Sequence, residues 1–236
     1  MKTREFDKTI EDVSYKQKLD TYKNLSELIR LRSHQELACR KMLIPYFYLL
    51  LDIDSRSKYE KAEILWERPQ FKGRCDLIIR VSWTNRLGNT EQKEFLWELK
   101  SQRMPLFNSK SETMLIPSKG LIEAENQLIN YYDDLKNVPE FSNLSLGGIV
   151  IGNDDNLATF KDALEDAQKY RLIEDARRIR YEYFYSRCKV ELLTWSEILY
   201  RIIKVTGKKF TNLVPAQLPT LDTVTDVSEV IGNFLN

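Results

Sequence analysis

Two arms of one stretch decide how this chain reads: Arg74-Cys75-Asp76-Leu77-Ile78-Ile79-Arg80-Val81 and, after a polar loop through Gly88-Asn89, Glu94-Phe95-Leu96-Trp97-Glu98-Leu99-Lys100. Both arms are rich in β-branched or aromatic residues, and Gly-Asn marks a turn, so the stretch reads as a β-hairpin. Each arm carries charges that a buried strand should not. Asp76 heads one apolar run, and Glu98 and Lys100 interrupt the other. Strand side chains alternate faces, so Glu98 and Lys100 point one way while Trp97 and Leu99 point the other. Antiparallel pairing of the arms sets Asp76 beside Glu98 on that same face. Two carboxylates and an ammonium then converge at one end of a sheet.

Adjacent carboxylates repel, and desolvation makes the repulsion costlier. A divalent cation resolves the conflict, because a hard ion such as Mg²⁺ binds through one or two carboxylates plus waters and substrate phosphate oxygens. The lysine two residues on can orient or deprotonate an attacking water, or stabilise charge on the phosphate. That set suits hydrolysis of a phosphodiester. The same residues also fit an ordinary cross-strand salt bridge at a surface, and spacing does not choose between the two.

The bulk composition sets limits. The chain's 236 residues suffice for one large domain or a core domain with extensions. Its hydrophobic content of 42% and charged content of 30% are those of a soluble globular protein. With 36 basic and 35 acidic residues the net charge is +1, so nucleic acid is not gripped by overall charge and a local basic patch is required. Cys39, Cys75 and Cys188 lie far apart without metal-ligand spacing and read as buried small residues in a reducing compartment. The lone His34 excludes zinc sites built on several histidines. The apolar run Met42 to Leu51 is about half the length of a membrane span, and the charged N-terminus is no signal peptide. The expectation is a cytoplasmic protein with no membrane partner.

Around the hairpin the chain reads as alternating helices and strands. Leu19, Tyr22, Leu25, Leu28 and Ile29 form an amphipathic stripe, so residues 1–32 are expected to be a helical arm or a cover over the sheet. Ser33 and Glu36 have capping-box spacing before a buried helix with Leu37, Cys39, Met42, Leu43, Tyr46, Phe47 and Leu50, which Pro45 should end or kink. Glu36 either caps that helix or reaches the charged cluster. Lys61 to Glu67 is expected to be the first strand of the sheet. A polar loop is expected up to Ser118, which caps a helix over about 119–135 with core stripe Leu121, Ala124, Leu128 and Leu135. Its polar ridge is Glu123, Gln127 and Tyr131, and Gln127 can face the cluster or solvent. Ser145 to Gly152 reads as a buried central strand, followed by a helix from about Leu157. A strand over about 190–194 then leads into a helix from Trp195. The basic run after Lys169, with Arg177, Arg178 and Arg180 among interleaved tyrosines, is the best local candidate for a nucleic-acid-facing patch, together with Arg74. A solvated helix face is the more common explanation for such a run. From Phe210 onward there is no Lys or Arg, and the amphipathic C-terminal segment 210–236 is a candidate interface for self-association or a partner.

Helix, three strands, helix and strand, with Asp on the second strand and Glu-x-Lys on the third, resemble the PD-(D/E)xK nuclease fold. Cys75 stands where that pattern usually has Pro. Glu98-Leu-Lys-Ser-Gln-Arg-Met-Pro-Leu-Phe107, followed by Ser118-Lys-Gly-Leu-Ile-Glu-Ala-Glu-Asn-Gln127-Leu-Ile-Asn-Tyr131, is similar to the nuclease domain of Shedu anti-phage defence proteins. The likeness covers roughly residues 33–155. It implies an α/β (α+β) core with a central mixed sheet flanked by helices, spanning about 33–209. It also implies Asp76 and Glu98 as ligands of Mg²⁺ or Mn²⁺, Lys100 as the catalytic lysine, Gln127 as an accessory residue and Glu36 as an upstream acid. The expected activity is a metal-dependent DNA endonuclease. The alternatives are an inactive nucleic-acid-binding or assembly module on the same fold, and a restriction or repair nuclease.

Overall fold

Residues 4–7, 15–51, 59–65, 76–161 and 163–206 are described in a computed structural model. In chain order they form β1 (Arg4–Asp7), α1 (Tyr15–Arg30), α2 (Glu36–Leu43), a 3₁₀ segment (Ile44–Leu50), β2 (Lys61–Leu65), β3 (Leu77–Thr84) and β4 (Thr90–Leu99). There follow β5 (Phe107–Ser111), β6 (Met114–Pro117), α3 (Lys119–Leu135), β7 (Leu144–Val150), β8 (Ala158–Thr159), α4 (Asp166–Arg180), a π turn (Tyr181–Tyr185), β9 (Glu191–Leu193) and α5 (Trp195–Thr206).

The central sheet has six strands in the order β1-β2-β3-β4-β7-β9. Its first four are antiparallel neighbours, whereas β7 runs parallel to β4 and β9 parallel to β7. The expected hairpin is β3–β4, in a register that opposes Leu77 to Trp97 and Ile78 to Leu96. Its arms run further toward the turn than the apolar residues alone suggest, to Thr84 and from Thr90. Gly88 closes the turn at φ +80, a conformation that suits glycine.

Helices cover both faces of this mixed sheet. Against one face, Tyr22, Leu25 and Ile29 of α1, Cys39 and Leu43 of α2, Phe47, and Ile198 and Ile202 of α5 pack on Leu77, Ile79, Trp97 and Leu99. Against the other, Leu121, Ala124, Leu128 and Leu135 of α3 pack on Ile78, Leu96 and Ile149 with Phe107 and Phe141. The alternation of β3 and β4 therefore feeds two cores at once. Trp97 lies on the backbone of β7 where Gly147 is bulged out of register, and a Cβ on Gly147 or Gly148 would collide with its indole. The apolar stripe of α1 thus belongs to the core.

Several local expectations change. α2 begins at Glu36 with Gln35 at the N-cap and no side-chain cap, so the Ser33–Glu36 capping box does not form. α2 ends at Leu43, just before Pro45, and Tyr46 leaves helical geometry at φ −123, ψ 20, as a proline-broken helix should. The segment before Ser118 is a hairpin, β5–β6, which joins β8 in a second, three-stranded sheet. Because Ala158 pairs with Phe107, no helix starts at Leu157. α4 starts at Asp166, behind a capping box between Glu165 and Gln168. Cys188 is exposed rather than buried, while burial pushes the Cys39 thiol up to about 12. Cys75 and the C-terminal segment 210–236 lie outside the described residues, as does most of 1–14. Among the described residues no helix is long and apolar enough to cross a membrane.

Candidate active site

Asp76 stands in a bend one residue ahead of β3, and Glu98 is the penultimate residue of β4. Continuing the hairpin register by one pair brings the two side by side, at the end of the sheet away from the turn. Glu98 is only 2% exposed. Its Oε1 pairs with Lys100 Nζ at 2.6 Å, and its Oε2 is buried without a hydrogen-bond partner. Burial, then the charge of Asp76, and to a smaller degree Glu36, push its carboxyl up to about 8, against the pull of Lys100. Lys100 also donates to Gln127 Oε1 from α3. The lysine is therefore held between a carboxylate on its own strand and an amide on the neighbouring helix.

The second half of the site comes from α2. Glu36 opens the helix and Arg40 follows one turn later on the same side, where residues four apart are neighbours. Burial and Asp76 raise the Glu36 carboxyl, while Lys100, Arg40 and the Ser101 N–H oppose the rise. Arg40, 8% exposed, places Nη1 2.8 Å from Asp76 Oδ1. Asp76 Oδ2 accepts the Leu99 N–H at 2.9 Å. The site thus gathers three carboxylates (Glu36, Asp76, Glu98) and two cations (Arg40, Lys100).

What fixes α2 over the end of β4 is Gln102, 0% exposed. Its Nε2 donates to Leu28 O and Ser33 O, each at 3.0 Å, and its Oε1 accepts Gln35 N–H and Ser101 O–H, each at 3.0 Å. One amide therefore ties the end of α1, the connecting loop and the start of α2 to the residue after Lys100. Since the Ser101 proton goes to Gln102, Ser101 Oγ accepts from His34 Nδ1–H, 2.7 Å away. Behind Lys100, Trp195 Nε1 donates to its carbonyl at 2.7 Å, and Lys100 N–H donates to Val150 O at 2.8 Å. The chain then turns at Gly152, whose φ of +69 and approach to Met104 O leave no room for a side chain.

Of the residues expected from the sequence, Glu36, Asp76, Glu98, Lys100 and Gln127 come together. Arg74 lies outside the described residues. The three arginines expected on a nucleic-acid face are each engaged by carboxylates. Arg177 pairs with Glu197 at 2.7 Å, and Arg178 with Asp175 and Glu182 at 3.3 Å. Arg180 pairs with buried Glu125, which also accepts the Tyr185 hydroxyl at 2.5 Å. Sequence reading missed Arg40, Gln102 and Ser101. A charged residue between the buried Cys39 and Leu43 was a signal for the first; nothing marks the other two.

The donor chemistry fits a hard cation. All three acids offer oxygen, and Glu98 Oε2 is a buried acceptor with nothing to accept. Among the described residues no three His, Cys, Asp or Glu side chains form a ready-made metal cage. The carboxylates are instead held by Arg40, Lys100 and Leu99 N–H. The chain matches no family model, no curated protein and no solved structure.

Proposed function

We propose that this chain is a divalent-metal-dependent DNA endonuclease and, from its likeness to the Shedu nuclease domain, an anti-phage defence effector. The reading rests on one observation above others: Glu98, buried at the end of a strand and ion-paired with the lysine two residues on, lies within the field of two further acids, Asp76 and Glu36. A purely structural ion pair gains nothing from two more carboxylates beside it, whose mutual repulsion a bound cation would relieve.

Asp76 and Glu98 would hold Mg²⁺ or Mn²⁺, with Glu36 close enough to share its field. When bound, such an ion lowers the pKa of a coordinated water and offsets charge on the scissile phosphate. Lys100 donates to or shields the attacking water, and it balances charge as the phosphorane-like transition state develops. Gln127 fixes the ammonium through its Oε1 and so sets the direction from which Lys100 acts. Glu98 must lose its proton before it can ligate, because burial and Asp76 favour its neutral form.

The second reading is a module on the same fold without turnover. The ion pair between Arg40 and Asp76 favours it, since the pair occupies an oxygen that a metal would use. Incubating purified protein with circular and linear DNA, with Mg²⁺, Mn²⁺ or a chelator, separates the two. The expected result is cleavage only with metal, and a loss of at least ~100-fold in Lys100→Ala, with the fold retained by circular dichroism. Metal-dependent cleavage at the wild-type rate by Lys100→Ala rejects the assigned lysine. Complete inactivity of the wild type favours the second reading.

A further inference from the structure

We infer that Arg40 is the resident counter-ion of Asp76, and that a divalent cation engages this carboxylate only by displacing the guanidinium. The inference rests on the reading of the cluster as a metal centre. It concerns a residue that neither the hairpin pattern nor the helix periodicity assigns to that centre.

Both oxygens of Asp76 are in use: Oδ1 takes Arg40 Nη1 at 2.8 Å and Oδ2 takes Leu99 N–H at 2.9 Å. The backbone donor is fixed by the sheet. The guanidinium is the only one of the two that can leave. A cation on Oδ1 would sit within a few ångströms of a permanent positive charge, in a site where screening is weak. Arginine cannot relieve that repulsion by losing a proton. It has to move.

The described surroundings differ on its two sides. Beside the guanidinium lies a crevice of about 10 Å³ lined by Leu43, Ile44, Phe47, Leu77 and Leu99 besides Arg40 and Asp76 themselves, too small to receive a displaced guanidinium. The other way lies Glu36, one helical turn earlier on α2 and within the field of Arg40. Among the described residues, the acid nearest the displaced guanidinium along α2 is therefore Glu36. Lys100 has no such choice. It is held by Glu98 and Gln127 and stays where it is. The two cations of the site thus differ in their partners: Lys100 pairs with Glu98 and Gln127, Arg40 with the carboxylate a metal would need.

The charge balance points the same way. With three carboxylates and two cations the metal-free cluster is nearly neutral, so its demand for an added cation is muted. Taking away the Arg40 charge alone leaves the acids in excess and strengthens that demand.

The test is calorimetric titration of the full chain with Mn²⁺, in wild type, Arg40→Gln and Arg40→Met, with melting temperatures recorded with and without the ion. Arg40→Gln keeps a hydrogen-bond donor for Asp76 without the charge, so one variant survives if the other fails to fold. The expected result is Mn²⁺ affinity at least tenfold higher in Arg40→Gln than in wild type, with a larger upward shift of its melting temperature by Mn²⁺. Binding by the variants alone also supports the inference. Binding by wild type with equal or lower affinity in the variants overturns it and leaves the metal centre standing. No binding by any of the three proteins overturns both.

Discussion

Glu98 concentrates the conflict at the residue scale. Its carboxyl sits at about 8 because burial and Asp76 outweigh the help of Lys100. A carboxyl raised above its unfolded value binds a proton more tightly in the folded protein. Its contribution to stability is complete at low pH and is lost as pH rises toward that value. Without metal, the wild type should therefore lose on the order of 1–3 kcal/mol of unfolding free energy between about pH 6.5 and 8.5. Glu98→Gln should be nearly flat over that window. Urea unfolding at a series of pH values checks both, and equal slopes would exclude the assigned cause. Metal binding has the matching signature, because a ligand must shed its proton. Mn²⁺ affinity should climb by up to about tenfold per pH unit below pH 8 and release about one proton per ion. Calorimetry in buffers of different ionisation enthalpy reads that proton.

At the element scale, α2 matters because it brings Glu36 and Arg40 to strands they do not adjoin in sequence. Its placement depends on Gln102, whose four hydrogen bonds lie wholly inside the protein. Gln102→Leu should cost about 1–3 kcal/mol, since it removes the partner of Gln35 N–H and of the Leu28 and Ser33 carbonyls. Denaturant midpoints measure that cost; a loss under 1 kcal/mol would mean that the loop is held by other means. This strap shows where sequence reading stops. The hairpin was legible because alternation and a Gly-Asn turn are local signals, and so was α3, with Ser118 accepting Leu121 N–H at 3.0 Å. Glu36 was legible as an acid near a helix start, but its expected cap on Ser33 gave way to a tertiary clamp from Gln102. No local pattern reports a bond between residues 67 positions apart.

At the scale of the whole molecule, charge and burial had to be read together. The run Arg177, Arg178, Arg180 was visible as basic, yet the partners of Arg177 and Arg180 come from other elements. Glu125 lies on α3, hidden among apolar residues that looked like an uninterrupted core stripe. Glu125→Ala should leave partly buried Arg180 and buried Tyr185 without their acceptor and destabilise by about 3 kcal/mol, a loss that thermal unfolding detects. The end of the sheet, by contrast, was predictable as a meeting place, because an antiparallel register carries Asp76 to Glu98 once the turn is known. What register did not reveal was the second helix above it, with one acid and one arginine of its own. The most direct measurement is therefore the count of Mn²⁺ ions bound by the full chain, read by electron paramagnetic resonance, in wild type, Asp76→Asn and Glu98→Gln. One bound ion in wild type, lost in both folded variants, is the expected result. Undiminished binding in the two variants would contradict a cation held between these carboxylates.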